Sequence, residues 1–143
     1  MFFVHLDKKG DLLNQKSYAQ YHRDMGFRVK QVQEGGHIVI GYTKSAEDKF
    51  GEIMLVRINE ALDLVWQSIL GEQNSVDYGF DILENDLGYI VIGAVGGFFN
   101  SVQEDFRTES SNMYVAQLSK SGQLIWEKKY GGDGHDWVEQ GVL

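Results

Sequence analysis

The densest cluster of side chains able to do chemistry is His135-Asp136, with Asp133 nearby in Gly131-Gly132-Asp133-Gly134-His135-Asp136-Trp137. Carboxylates and an imidazole this close would make an oxygen-rich cation loop or half of an acid–base pair. The other reading is that Asp136 accepts backbone amides and organises a loop. Asp24 and Asp77 stand in the same context, in Asp24-Met25-Gly26-Phe27 and Asp77-Tyr78-Gly79-Phe80. A carboxylate that returns along the chain is read as architectural, because catalysis rarely needs one copy per structural unit. The spacing of an EF-hand is absent. His5, His22, His37 and His135 show no pairing at i, i+2 or i, i+4, so they form no local metal motif.

Two further candidates are aromatic. Trp66 and Trp126 occupy one repeated position, where a ring either stacks a ligand or packs between structural units. Packing is the preferred reading, since a large buried ring contributes roughly 2–3 kcal/mol. The stretch 96–111 has no counterpart elsewhere in the chain. It carries Phe98, Phe99 and Phe106 among the acidic residues Glu104, Asp105 and Glu109. It is either a loop folded onto its own unit or a recognition loop, because long loops on a rigid scaffold often carry binding function. Its candidate interaction residues are Phe98, Phe99, Glu104, Asp105 and Phe106. The chain has no cysteine, which excludes disulfides, thiolate metal sites and cysteine nucleophiles. It has no phosphate loop, no Gly-x-Ser-x-Gly and no zincin motif. No catalytic, cofactor-binding or metal-ligating residue is assigned.

Charge bears on partners. Residues 1–71 hold nine Lys/Arg and nine Asp/Glu, whereas residues 72–143 hold four and twelve, which accounts for the whole net charge of −8. Such a surface repels phosphate backbones, so nucleic acid is not an expected partner. No apolar run approaches the ~20 residues of a membrane span. The opening Met1-Phe2-Phe3-Val4-His5-Leu6-Asp7 is too short and too quickly polar for a signal peptide.

The elements that must position these residues repeat. Val4 to Asn14, Val56 to Trp66 and Ala116 to Trp126 align at offsets of 52 and then 60. Gly36-His37-Ile38-Val39-Ile40-Gly41 matches Gly88-Tyr89-Ile90-Val91-Ile92-Gly93, again 52 apart. Each unit reads as four short strands, A (77–84), B (88–95), C (113–119) and D (123–130). B is a continuous β-branched run, as in a strand buried on both faces. C and D flank Ser119-Lys120-Ser121-Gly122, a hairpin turn in which glycine takes positive φ. Two stretches also fit helical spacing, Met54 to Ile69 and Tyr18 to Val32. The repeat favours strands, because the counterpart of the first has Gly122 and two serines at its midpoint.

Eleven strands are expected, in an all-β fold of four-stranded antiparallel β-propeller blades. The chain then makes about two and three-quarter blades of a partial propeller, one domain over 1–143. Its blade pieces span about 1–19, 20–71, 72–132 and 133–143.

Gly122-Gln123-Leu124-Ile125-Trp126-Glu127-Lys128-Lys129-Tyr130-Gly131-Gly132 resembles the hairpin strand of a group of bacterial secreted or surface-anchored β-propeller repeats. Their pattern continues through Asp77-Tyr78-Gly79 and through Glu34-Gly35-Gly36-His37-Ile38-Val39-Ile40-Gly41-Tyr42-Thr43. The resemblance covers nearly all of the chain except 44–51 and 96–111. It implies a non-enzymatic binding or scaffold module, secreted or at the cell surface, probing a protein partner or joining the remaining blades of a longer propeller. Asn14 stands where Trp66 and Trp126 stand, and Leu62 where Gly10 and Gly122 stand, so the first hairpin and the second turn are degenerate copies. The hairpin is also similar to quinoprotein propeller repeats, whose alternative implication is an enzyme or part of one. Their Asp-x-x-Thr-Gly turn is missing, so no cofactor is implied. Blades stack face to face, and exposed end blades are expected to self-associate.

Overall fold

The computed structural model describes residues 1–18, 23–45, 50–72, 74–97, 111–136 and 138–143. Among them the chain is all β, with no helix. Ten strands follow one another as β1 (Phe2–Leu6), β2 (Leu12–Ser17), β3 (Arg23–Gln31), β4 (His37–Lys44) and β5 (Glu52–Ile58). The second half continues with β6 (Leu64–Leu70), β7 (Val76–Asn85), β8 (Gly88–Gly97), β9 (Asn112–Ser119) and β10 (Leu124–Tyr130). They form three antiparallel sheets: the hairpin β1-β2, a middle sheet β3-β4-β5-β6 and a last sheet β7-β8-β9-β10. The expected eleventh strand is absent from the described residues after β10. There the backbone makes only an isolated parallel bridge, Ser111 to His135.

The stretch with helical spacing, Met54 to Ile69, folds as β5 and β6. A turn breaks it, closed by Leu62 N–H to Asn59 C=O at 3.0 Å and Asn59 N–H to Asp63 C=O at 2.9 Å. The three outer hairpins share one irregularity. The register slips between His5 and Leu6, between Arg57 and Ile58, and between Leu124 and Trp126. Leu13, Val65 and Ile125 sit at the slip, and each is more than half exposed.

Strand alternation gives every sheet two faces. In the middle sheet Ile38, Ile40, Ile53 and Leu55 lie on the face toward the last sheet, where they meet Ile82, Tyr89, Val91, Tyr114, Ala116 and Leu118. Met54, Val56 and Ile58 lie on the opposite face, where Met1 and Phe3 of the hairpin pack against them. The sheets thus stack in chain order, the leading face of one on the trailing face of the next. They approach most closely along β7, which lies against β3, β4 and β5. A Cβ on Gly79 would sit 2.5 Å from Ile40 Cγ1, so glycine is what permits this approach. Asp81 joins β7 to β3 through Lys30 Nζ at 2.8 Å.

Candidate functional site

The aspartates lie on β3, on β7 and beyond β10. Asp77 is fully buried. Its Oδ1 accepts from Ser75 Oγ at 2.6 Å and from the Gly96 amide at 3.0 Å, and its Oδ2 from the Glu72 amide at 2.6 Å. Burial pushes its carboxyl above the ordinary range, while these donors pull the other way. Gly71, at φ +133°, leaves the space that Asp77 Oδ2 fills. Asp136 repeats part of this arrangement. Its Oδ2 accepts from the Gly132 amide at 2.8 Å, and its own amide donates to Ser111 C=O at 2.8 Å, as the Asp77 amide does to Gly51 C=O. Asp24 Oδ1 accepts from Thr43 Oγ1 at 2.6 Å. What this geometry does chemically is tie each loop to the strand that follows or faces it.

The two tryptophans differ. Trp66, on β6, packs on Tyr89 of the last sheet with ring centroids 5.7 Å apart. Its Nε1 donates to Lys120 C=O at 2.9 Å. The ring lies against Gly122, where a Cβ would come within 2.7 Å of Trp66 Cδ2. Ser68 Oγ adds a bond to Gly122 C=O at 2.6 Å, and Lys120 reaches Glu34 at 3.1 Å. Trp126, expected to pack in the same way, is instead 38% exposed, with Lys128 Nζ 5.8 Å over its ring. The reason is positional: no sheet of the described chain lies beyond the last one on that side.

Two apolar faces are therefore open. On the hairpin, Phe2, Val4 and Leu6 are 61%, 43% and 49% exposed. Their counterparts Met54, Val56 and Ile58, and again Tyr114, Ala116 and Leu118, are all buried. On the last sheet, Trp126 and Tyr130 are exposed and Met113 and Val115 half-buried on the same face. Gly141 lies over its inner part, against Ile92 and Leu83, and its amide donates to Asp81 Oδ2 at 3.2 Å. Sequence reasoning found the tryptophans and expected the end units to be exposed, but did not name the residues that line these two faces. The signal for one of them was the apolar residue at every second position from Phe2 to Leu6.

A second feature missed in the sequence is a row of rings. Tyr42 stacks on Tyr78 at 5.1 Å, Tyr78 on Phe80 at 6.0 Å, and Phe80 on Phe27 at 6.1 Å. It joins β4, β7 and β3 across the middle and last sheets. Phe98, Phe99, Glu104, Asp105 and Phe106 lie outside the described residues. No helix among the described residues is long and apolar enough to cross a membrane. No family model matches this chain, and no curated protein matches it.

Proposed function

We propose that the chain is a non-enzymatic β-propeller repeat module that binds protein through the open faces at the two ends of its stack of blades. The observation that carries this reading is the stacking itself. Leading face meets trailing face in the same order twice, and each end leaves an apolar face uncovered. A radial array explains why the sheets close on one another along β7, because blades converge toward their inner strands. The four-stranded meander of the middle and last sheets is the strand order of such a blade. The repeated aspartates support a binding or scaffold role rather than catalysis, since their oxygens serve loop amides and hydroxyls.

The test is titration with a pyrroloquinoline quinone, followed by absorbance and by oxidation of simple alcohols. No saturable binding with turnover is expected. Turnover would assign the chain to the quinoprotein-like enzymes and remove the scaffold reading.

A further inference from the structure

We infer that the chain associates head to tail with a second copy of itself, the Trp126 face of one copy seating on the outer face of the β1-β2 hairpin of the next. The inference rests on the blade-stacking reading above and names the partner of its open faces.

The chain contains two worked examples of the contact. In each, an outer strand reaches over the turn of the following sheet. Trp66 lies on Gly122, and Ser68 Oγ bonds to Gly122 C=O. One unit earlier, the Trp position is Asn14, the turn residue is Leu62, and Tyr18 OH bonds to Leu62 C=O at 2.5 Å. Leu62 is 1% exposed at φ +63°, so its side chain fills the middle turn where the other turns have glycine. The two degenerate positions therefore belong to one interface. A tryptophan goes with a glycine seat, and an asparagine goes with a filled one.

That pairing leaves one tryptophan and one glycine over. Trp126 projects from the last sheet with no turn of the described residues beneath it. Gly10, at φ +89°, is the turn glycine of the hairpin, and a Cβ there would meet open space. Carrying the observed interface forward by the repeat offsets places Trp126 Nε1 at the carbonyl of Lys8, the counterpart of Lys120. It also brings Met113 and Val115, the counterparts of the fully buried Ile53 and Leu55, onto Phe2, Val4 and Leu6. Charge agrees. Lys120 pairs with Glu34 between the middle and last sheets. The counterparts are Lys8 and Asp86, again opposite in sign and both exposed. Gly141 already lies over the inner part of the same face, against Ile92 and Leu83, which leaves the outer part around Trp126 for the hairpin. The contact is heterologous, so successive copies make a ring if the rotation closes and a linear array if it does not.

Sedimentation velocity over a wide concentration range tests this on the whole chain. Wild type should associate reversibly. Trp126→Ala disables one end and Gly10→Leu the other, the leucine being what the middle turn already holds. Each should weaken self-association by roughly tenfold or more, as for a central aromatic anchor. An equimolar mixture of the two variants should form dimers and stop there, because one competent end remains on each. That rescue shows that both variants are folded. Lys8→Glu and Asp86→Lys should each weaken assembly, and the double variant should recover it. A wild-type chain that stays monomeric, or a mixture that does not pair when wild type does, overturns the inference. Assembly that survives in both single variants overturns this pairing of faces while leaving the binding-module reading in place; that reading fails separately, on cofactor turnover.

Discussion

Asp77 and Asp81 lie on one strand, four residues apart, and respond to acid in opposite directions. Burial raises the Asp77 carboxyl above its ordinary 3.8, so the folded chain holds that proton more tightly than the unfolded chain does. Its contribution to stability is largest below 3.8 and is lost as pH rises through the raised value. Burial also pushes Asp81 up, but the bonds from Lys30 Nζ and from the Gly141 and Ile82 amides hold it below 3.8. Its contribution is present above 3.8 and disappears as pH falls through the lowered value. Urea denaturation across the acid range should therefore show that Asp77→Asn removes a fall in stability with rising pH. Asp81→Asn should remove a rise. At neutral pH, Asp77→Asn should also cost about 1–3 kcal/mol, because an amide NH2 would face donors where a carboxylate accepts. An unchanged pH profile in Asp77→Asn would show that the proton linkage lies elsewhere. The shared context of Asp24, Asp77 and Asp136 was readable in the sequence. Their partners were less so: Ser75 and Gly132 lie within four residues of their aspartates, but Thr43 and the Gly96 amide, each 19 residues away, become partners only when strands pair.

Elements were legible where one pattern dominated. The β-branched runs at 38–40 and 90–92 are central strands, and the glycine turns at 10 and 122 close hairpins. Periodicity was ambiguous from Met54 to Ile69, where apolar residues fill both faces of β5 because sheets cover it on both sides. What no pattern gave was the difference between Trp66 and Trp126, which follow similar residues (Leu64-Val65 and Leu124-Ile125) but have different neighbours in space. Removing Trp66 should cost about 3–5 kcal/mol, since the ring touches Tyr89 and Gly122 and holds the Lys120 carbonyl. Removing Trp126 should change the stability of the dilute chain by less than about 1 kcal/mol, the usual range for a surface position. Chemical denaturation of both alanine variants checks the contrast. Equal losses would mean that Trp126 is covered even in the single chain. Leu62→Gly would relieve a left-handed leucine but empty a buried position, and the cavity outweighs the relief. A net loss of stability is expected, measured in the same way.

A stack of sheets distributes its stability unevenly across the whole molecule. The middle sheet is covered on both faces, whereas the hairpin and the last sheet each present apolar side chains to water. Cooperation between neighbouring sheets then favours unfolding from the outer sheets. If a second copy covers those ends, association adds to folding by mass action. The melting temperature of wild type should accordingly rise with protein concentration, while that of Trp126→Ala should not. Deleting residues 98–109 should leave the concentration dependence intact, because every residue assigned to the two faces lies outside that stretch. Salt separates the contributions. Burial of Phe2, Val4 and Leu6 is insensitive to screening, whereas the Lys8–Asp86 attraction weakens with ionic strength. Moderate salt should therefore lower the affinity only slightly, despite the net charge of −8. Differential scanning calorimetry at several concentrations, with and without the loop, is the measurement. A melting temperature independent of concentration in wild type would mean that the end faces stay open in solution, and the cost of their exposure would then lie wholly within the single chain.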